Sequence, residues 1–390
     1  MSGGAATGHD RKAQPPKPAM LVQANGDTLN VLNFAPARQD NAMEMLLRLC
    51  VVAREQYPQV DRLSFAGAGV AAEIKAWLRD IKIEDQKRLR IKVCPANEEI
   101  LISPKPYVHP KAEVDPTAKL GEFSLVGPFA VIGAGARIGD YTEVSPFSCL
   151  EPGATLGAHN SIGSHCTISA CVTMGDGNVL SASVHVGGEP QQRGDRGSTG
   201  TVCIGHNNRI FDNVVIHRGT KGGVTRVGDD NLIFHGCHVA HDCTVGNRCT
   251  LINGVALGGH VTIGDCVYIA AGAHILPMMQ VGAYANIWAG AGVTRHVPPC
   301  CIAATPKGER IAQLIGINSR GLLKLGIKAC VIAELKRVFG DLLIRGGTAH
   351  EVYRATLHNP LALQLATSVG ELNGGIARVH RKPRKDSGND

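Results

Sequence analysis

The stretch Phe234-His235-Gly236-Cys237-His238-Val239-Ala240-His241-Asp242-Cys243-Thr244-Val245-Gly246-Asn247-Arg248 places a valine at 239 and another at 245, each two residues after a cysteine. The six-residue beat continues outward in both directions. Downstream it runs through Leu251, Leu257, Ile263, Ile269, Ile275, Val281 and Ile287 to Val293; upstream it passes Ile233 and reaches Val227. An earlier run holds one phase from Val108 through Val126, Val144, Ile162 and Leu180 to Val186, and a short one joins Ile204, Ile210 and Ile216. Self-similarity at a fixed short period signals a solenoid, and a period of six predicts a hexapeptide β-helix.

The spacing sets the mechanics. Three hexads make one triangular coil, so every third aliphatic residue stacks on the one before it. No coil closes its own core, but stacked coils bury a continuous column. Each aliphatic side chain contributes roughly 1.5–3 kcal/mol when buried. The residue two before it also points inward and is small: Thr142, Ala154, Cys166, Cys237, Cys243 and Cys249. Glycine often follows the aliphatic residue, as at Gly121, Gly139 and Gly246, which fits a corner. Hexapeptide solenoids are left-handed as a class, against the usual right-handed crossover. The expected fold is mainly β: a left-handed parallel β-helix with a C-terminal α-helical domain and a small N-terminal α/β domain.

Two interruptions stand out. Gly187–Val202 takes the place of three hexads with a polar loop and keeps the phase; His217–Arg226 is shorter and slips it by one. Loops projecting from a rigid scaffold are where sites are built.

The 390 residues exceed one compact core, and the expected divisions are a disordered 1–19, an α/β unit over 20–102, the β-helix over 103–310, a helical domain over 311–372 and a basic disordered tail over 373–390. Within 20–102, Asn25-Gly26-Asp27 between apolar runs predicts a hairpin over 20–34. Strands are expected at 60–66 and 89–93, and helices at 41–57 and 70–81. Beyond Val297-Pro298-Pro299, helical spacing is read over 311–340 and again over 350–370. The 47 glycines and 4% aromatic content suit a stacked coil better than a conventional core.

The formal charge is +7, but most of the excess sits in the ends: Arg11, Lys12 and Lys17 against Asp10, then Arg378, Arg381, Lys382, Arg384 and Lys385 against Asp386 and Asp390. Solvated tails account for it, so no nucleic-acid partner is expected. No apolar run reaches membrane-span length and no signal-peptide core is present. Thirteen cysteines without a small disulfide scaffold point to a reducing compartment, hence the cytoplasm.

His241 lies two past Val239 and faces outward, and Asp242 follows it. An imidazole titrating near neutrality can take a hydroxyl proton while a carboxylate orients it. The same residue can equally be a plain wall histidine. Histidines at 235, 238 and 241 raise the question of zinc, but strand positions three apart alternate faces while a metal needs convergent ligands; no metal is expected. The cysteines read as core fillers. Gly259, one coil above His241 and followed by His260, could offer its amide to a developing oxyanion, or be an ordinary corner glycine.

Residues 204–326 closely resemble the UDP-N-acetylglucosamine O-acyltransferases that begin lipid A synthesis. The likeness is carried by Ile216-His217-Arg218-Gly219-Thr220, the run from His238 to Cys249, Gly258–Val261, Val297-Pro298-Pro299, and Asn318 with Gly321-Leu322. It extends in repeat pattern over 106–370 and leaves 1–102 outside. The resemblance implies a homotrimer with sites between neighbouring solenoids. It also implies transfer of a 3-hydroxyacyl chain from acyl carrier protein to the sugar 3-hydroxyl. No cofactor is implied, since the donor carries its own phosphopantetheine. By the match His241 is the general base, Asp242 its partner and Gly259 the oxyanion donor. His238 and His260 line the cleft, and Gln191, Asn318, Arg320, Lys324 and Ala289 contact substrates.

Several positions depart from the family's pattern. Its Gln-Asp-x-Lys becomes Gln191-Gln192-Arg193-Gly194, its Asn-x-Glu becomes Asn318-Ser319-Arg320, an arginine becomes Lys324, and a His-Gln pair becomes Leu276-Pro277. Ala289, beside Trp288, stands where a chain-length ruler is often glycine. The chemistry is therefore expected to be kept while specificity is open. Competing readings are transfer to another sugar nucleotide, such as a 3-amino one, or from coenzyme A, and a solenoid that binds sugar nucleotides without catalysis.

Overall fold

The computed structural model describes residues 20–25, 28–34, 62–64, 69–70, 91–94, 99–102, 106–195, 197, 199–346, 348, 358–372 and 375–380. Two compact units divide at Tyr107 and Val108. The first contains one sheet of strands β1 (Met20–Asn25), β2 (Thr28–Phe34), β3 (Arg62–Ser64), β4 (Gly69–Val70), β5 (Ile91–Cys94) and β6 (Glu99–Ile102). Their order is β1-β2-β3-β6-β5, with β4 on β2. The expected hairpin is present, with Asn25 opposite Thr28 across an antiparallel pair. The expected strands at 60–66 and 89–93 correspond to β3 and β5; β6, antiparallel to both, was not foreseen. Val70, expected to begin a helix, lies in β4. The helix over 41–57 and the rest of that over 70–81 fall outside the described residues.

The second unit is the left-handed parallel β-helix that period six predicts. Its three faces are sheets of 12, 10 and 9 strands. Sheet I holds Val126, Val144 and Ile162; sheet II holds Ile168, Val186, Ile216, Val239, Leu257 and Ile275; sheet III holds Met174, Ile204, Val227, Val245 and Ile263. Most strands are two residues long, one facing out and one facing in, because a longer strand would overrun the corner. The inward aliphatic residues are sealed, as at Val239, Leu251 and Leu257, each 0% exposed. The small inward positions are buried too, and Cys243 and Cys249 have their thiols pushed up to about 12 by burial. One inner corner is polar: Asn160, Asn178, Asn208 and Asn231 stack in a ladder. Asn178 Nδ2 donates to Asn160 Oδ1 (3.1 Å) and Asn208 Nδ2 to Asn178 Oδ1 (2.9 Å).

Stacked residues are 18 apart until the first interruption, then 30 apart, then 23, then 18 again. The long loop therefore does not replace three hexads. His185–Gly188 on sheet II is followed directly by Thr201–Ile204 on sheet III, so the polar residues are an insertion at a single corner. The shorter interruption, between Val215–His217 and Val224–Val227, leaves from the same corner one coil later. Both project from the edge that carries His241.

The parallel stack ends with Cys301–Ala304, and Gln313–Ile317 then adds antiparallel to it. Residues 313–317 are thus a strand where helical spacing was read. A short apolar run such as Leu314-Ile315 cannot be assigned by period alone, and the open end of sheet I supplies a ladder for it. Helix α1 (Ser319–Lys324) follows, capped by Asn318. Helix α2 (Ala329–Phe339) buries Ile332, Leu335, Val338 and Phe339 and runs into a π-helical turn at Gly340–Ile344. Helix α3 (Pro360–Glu371) starts on an Asn359 cap with proline in its first turn, and buries Ala362, Leu365 and Ala366, an i, i+3, i+4 stripe. Among the described residues no helix is long and apolar enough to cross a membrane.

Candidate active site

The corner between sheets II and III is built from the residues after Val239, Leu257 and Ile275 in successive coils. His241 occupies the second position after Val239 and is only 9% exposed, so it is recessed rather than presented on a wall. Gly259 lies directly above it. A Cβ on Gly259 would stand 2.5 Å from His241 Cε1 and 2.6 Å from Nε2, so the imidazole occupies the space that a side chain would fill.

Asp242 sits at φ 60°, in the left-handed region that aspartate tolerates better than most residues. That turn brings its carboxylate back to the ring: His241 Nδ1 donates to Asp242 Oδ2 at 2.9 Å. Nδ1 therefore carries a proton, and in the neutral ring the Nε2 lone pair is left to accept one. The second insertion fixes the carboxylate. Thr220 Oγ1 donates to Oδ2 at 2.8 Å, and the Thr220 amide lies 3.1 Å and 3.2 Å from the two oxygens. Burial alone would raise the Asp242 pKa, but hydrogen bonds from His241 and Thr220, with His260 nearby, hold it below the usual carboxylate range. Gly223 is required here, because a Cβ would fall 1.8 Å from Asp242 Oδ1.

The Gly259 amide is the second chemical feature. At several coils of the corner between sheets III and I, the equivalent amide is capped by an Asp in the next coil: Glu122 by Asp140, Ala158 by Asp176 and Asn247 by Asp265, each at 2.7 Å. Above Gly259 that position is Pro277, whose ring cannot accept. Among the described residues the Gly259 N–H has no acceptor, while its neighbours are paired, Gly258 to Ile275 and His260 to His241.

Around this pair lie more histidines. His241 and His260 meet edge to face at 5.2 Å, as do His217 and His238 at 5.1 Å. His217 Nδ1 donates to the Glu189 carbonyl, tying the two insertions together, and Arg218 reinforces the tie by donating to Gly187 O (3.3 Å) and Glu189 Oε1 (3.4 Å). Burial, first of all, pushes the pKa of both His217 and His238 down, so they stay neutral near pH 7. His238 is half-buried, with Nε2 enclosed and unpaired.

The expected site residues are not all together in the chain. His238, His241, Asp242, Gly259 and His260 share the corner, and exposed Gln191 lies in the loop that leaves it. Asn318 lies at the corner between sheets III and I. Its side chain caps α1 through Gly321 N (3.1 Å) and donates to Tyr284 O (2.9 Å). Arg320 and Lys324 are exposed on α1, and Ala289 is exposed at the third corner, after Ile287. His235 is exposed at that third corner also, so the 235/238/241 histidines do not converge. Among the described residues, the trio that does is His241, Asp242 and His260, with ligand atoms within 4.8 Å of one another. Two of those atoms already share a hydrogen bond. Thr220 and Gly223 were missed by sequence reasoning; the slip of one in the hexad phase was the signal.

Comparison with known proteins bears on this corner. No protein-family model matches the chain. An acyl-[acyl-carrier-protein]–UDP-N-acetylglucosamine O-acyltransferase of Nautilia profundicola is 32% identical over 190 residues, covering 47% of this chain and 72% of that protein. The chain belongs to the UDP-N-acetylglucosamine O-acyltransferase family. The namesake enzyme of Myxococcus xanthus is 43% identical over 166 residues, 42% of this chain and 63% of its own length. Solved UDP-N-acetylglucosamine acyltransferases from Francisella novicida (28% identity, TM-score 0.58, 71% of this chain, 94% of that one) and Arabidopsis (25%, 0.61, 70%, 100%) share the fold.

Proposed function

We propose that the protein transfers an acyl chain from acyl carrier protein to the 3-hydroxyl of UDP-N-acetylglucosamine, the first step of lipid A synthesis, with His241 as general base. The observation that carries this reading is the unpaired Gly259 amide one coil above an imidazole whose Nδ1 is tied to Asp242. Nε2 of His241 takes the proton from the sugar hydroxyl as its oxygen attacks the thioester carbonyl. Negative charge develops on the carbonyl oxygen, and the Gly259 amide is placed to receive it. The C–S bond then breaks, and the leaving phosphopantetheine thiolate recovers the proton from His241. The thioester brings its own activation, so the protein needs no resident cofactor.

Three copies of the chain complete the site. This accounts for Ala289, Arg320 and Lys324 lying away from the His241 corner: a neighbouring protomer supplies them. The free thiols suit a cytoplasmic location. The test is to incubate the purified protein with acylated carrier protein and UDP-N-acetylglucosamine and look for the acylated sugar nucleotide by mass. Transfer from carrier protein is expected. Transfer only from coenzyme A, only to a 3-amino sugar nucleotide, or to none, defeats the proposal.

A further inference from the structure

The two sides of the catalytic pair differ in chemistry. Below His241 the corner is polar: Thr220, His217, Arg218 and the loop through Glu189 and Gln191. Above Gly259 it is apolar: Leu276 is 47% and Met278 62% exposed, with Pro277 between them. These residues are fixed to the pair. The Met278 amide donates to Gly259 O at 2.9 Å, and a Cβ on Gly258 would meet Pro277 Cδ at 2.7 Å. Met278 holds φ 68°, so its side chain is set by the corner and not by burial.

An acyl group whose carbonyl oxygen lies on the Gly259 amide has two ways to leave. The hydroxyl-rich sugar belongs on the polar side, and the chain follows the apolar side over Leu276 and Met278. None of these three residues offers a side-chain N–H or O–H. Its amides are spent or missing: Leu276 N donates to Val293 O (2.9 Å), Met278 N to Gly259 O, and Pro277 has none. A hydroxyl near the start of the chain would lose water against these residues and gain no side-chain or amide partner from them.

We propose that Leu276, Pro277 and Met278 select the donor, and that this enzyme prefers an unsubstituted acyl chain to a 3-hydroxyacyl chain of the same length. The inference rests on the acyl-transfer reading and specifies the donor for that same site. A single unpaired polar group in a dry contact corresponds to about tenfold in kcat/KM.

The experiment compares tetradecanoyl and 3-hydroxytetradecanoyl carrier protein, each with UDP-N-acetylglucosamine. It uses the full chain as wild type, Met278→Gln and Leu276→Gln, with folding of each variant checked by its melting curve. The wild type should favour the unsubstituted donor about tenfold in kcat/KM. Either glutamine, by offering a partner to the hydroxyl, should shrink that ratio, mainly by raising the rate with the hydroxylated donor. Equal rates, a preference for the hydroxylated donor, or a ratio indifferent to both substitutions overturns the inference while leaving acyl transfer in place. No transfer from either donor overturns both.

Discussion

Gly259→Ala separates the position of the proposed base, His241, from its presence. The φ of Gly259 lies outside the left-handed region, so alanine fits the backbone. The added methyl, however, would stand 2.5 Å from His241 Cε1 and 2.6 Å from Nε2, where ordinary van der Waals contact begins near 3.4 Å. The ring must retreat by about 1 Å, and a displacement of that size costs on the order of 100-fold in a positioned reaction, or about 2.7 kcal/mol of transition-state stabilisation. The Gly259 amide, proposed to receive the oxyanion, is kept, so the loss is assigned to the imidazole. Steady-state acyl transfer should show kcat/KM down about 100-fold with the melting temperature close to wild type. The double variant supplies the sharper check. With His241→Ala already in place there is no ring to displace, so adding Gly259→Ala should cost almost nothing further. Wild-type activity in Gly259→Ala, or two costs that simply add, would refute the packing argument.

Other consequences follow from the same contacts. Asn178→Ala breaks the inner ladder and leaves Asn208 and Asn160 short of partners, which should lower unfolding stability by about 1–3 kcal/mol in chemical denaturation. His217 and His238 are held below the ordinary histidine pKa of about 6.5. The unfolded chain therefore binds protons first, and stability should fall as pH drops below about 6.5, towards the lower folded values. His238→Gln should flatten that slope in melting curves between about pH 7 and 5. A thiol reagent at neutral pH should label exposed Cys330 readily and spare buried Cys243 and Cys249, whose thiols lie at about 12, as peptide mapping would show.

What the sequence disclosed, and what it withheld, divides along physical lines. The hexad phase is a local signal repeated in coil after coil, and each coil imposes the same demand for one aliphatic and one small residue inside. Val239, Cys237 and their counterparts are therefore legible in the sequence. His241-Asp242 stood out because adjacent residues need no folding to be brought near each other. Thr220 reaches Asp242 only because five residues are inserted at the corner one coil below, a spacing that shows as a phase slip but names no partner. The unpaired Gly259 amide depends on what lies one coil above, where Pro277 stands in place of a capping side chain. Gln313–Ile317 was misread because its strand character comes from the exposed edge of sheet I and not from its own period. Asn318 is of a residue type that caps helices, and its Oδ1 accepts from the Gly321 amide, a role that its likeness to a substrate-binding position concealed.

The central claim is that the imidazole of His241 performs the proton transfer. The most direct test is the rate of acyl transfer from carrier protein to UDP-N-acetylglucosamine by His241→Ala beside wild type, with both shown to be folded. Loss of a general base predicts a fall in kcat of about 10²- to 10⁴-fold with the sugar nucleotide still bound. A variant that turns over within a few-fold of wild type would contradict the account and move the chemistry away from this corner.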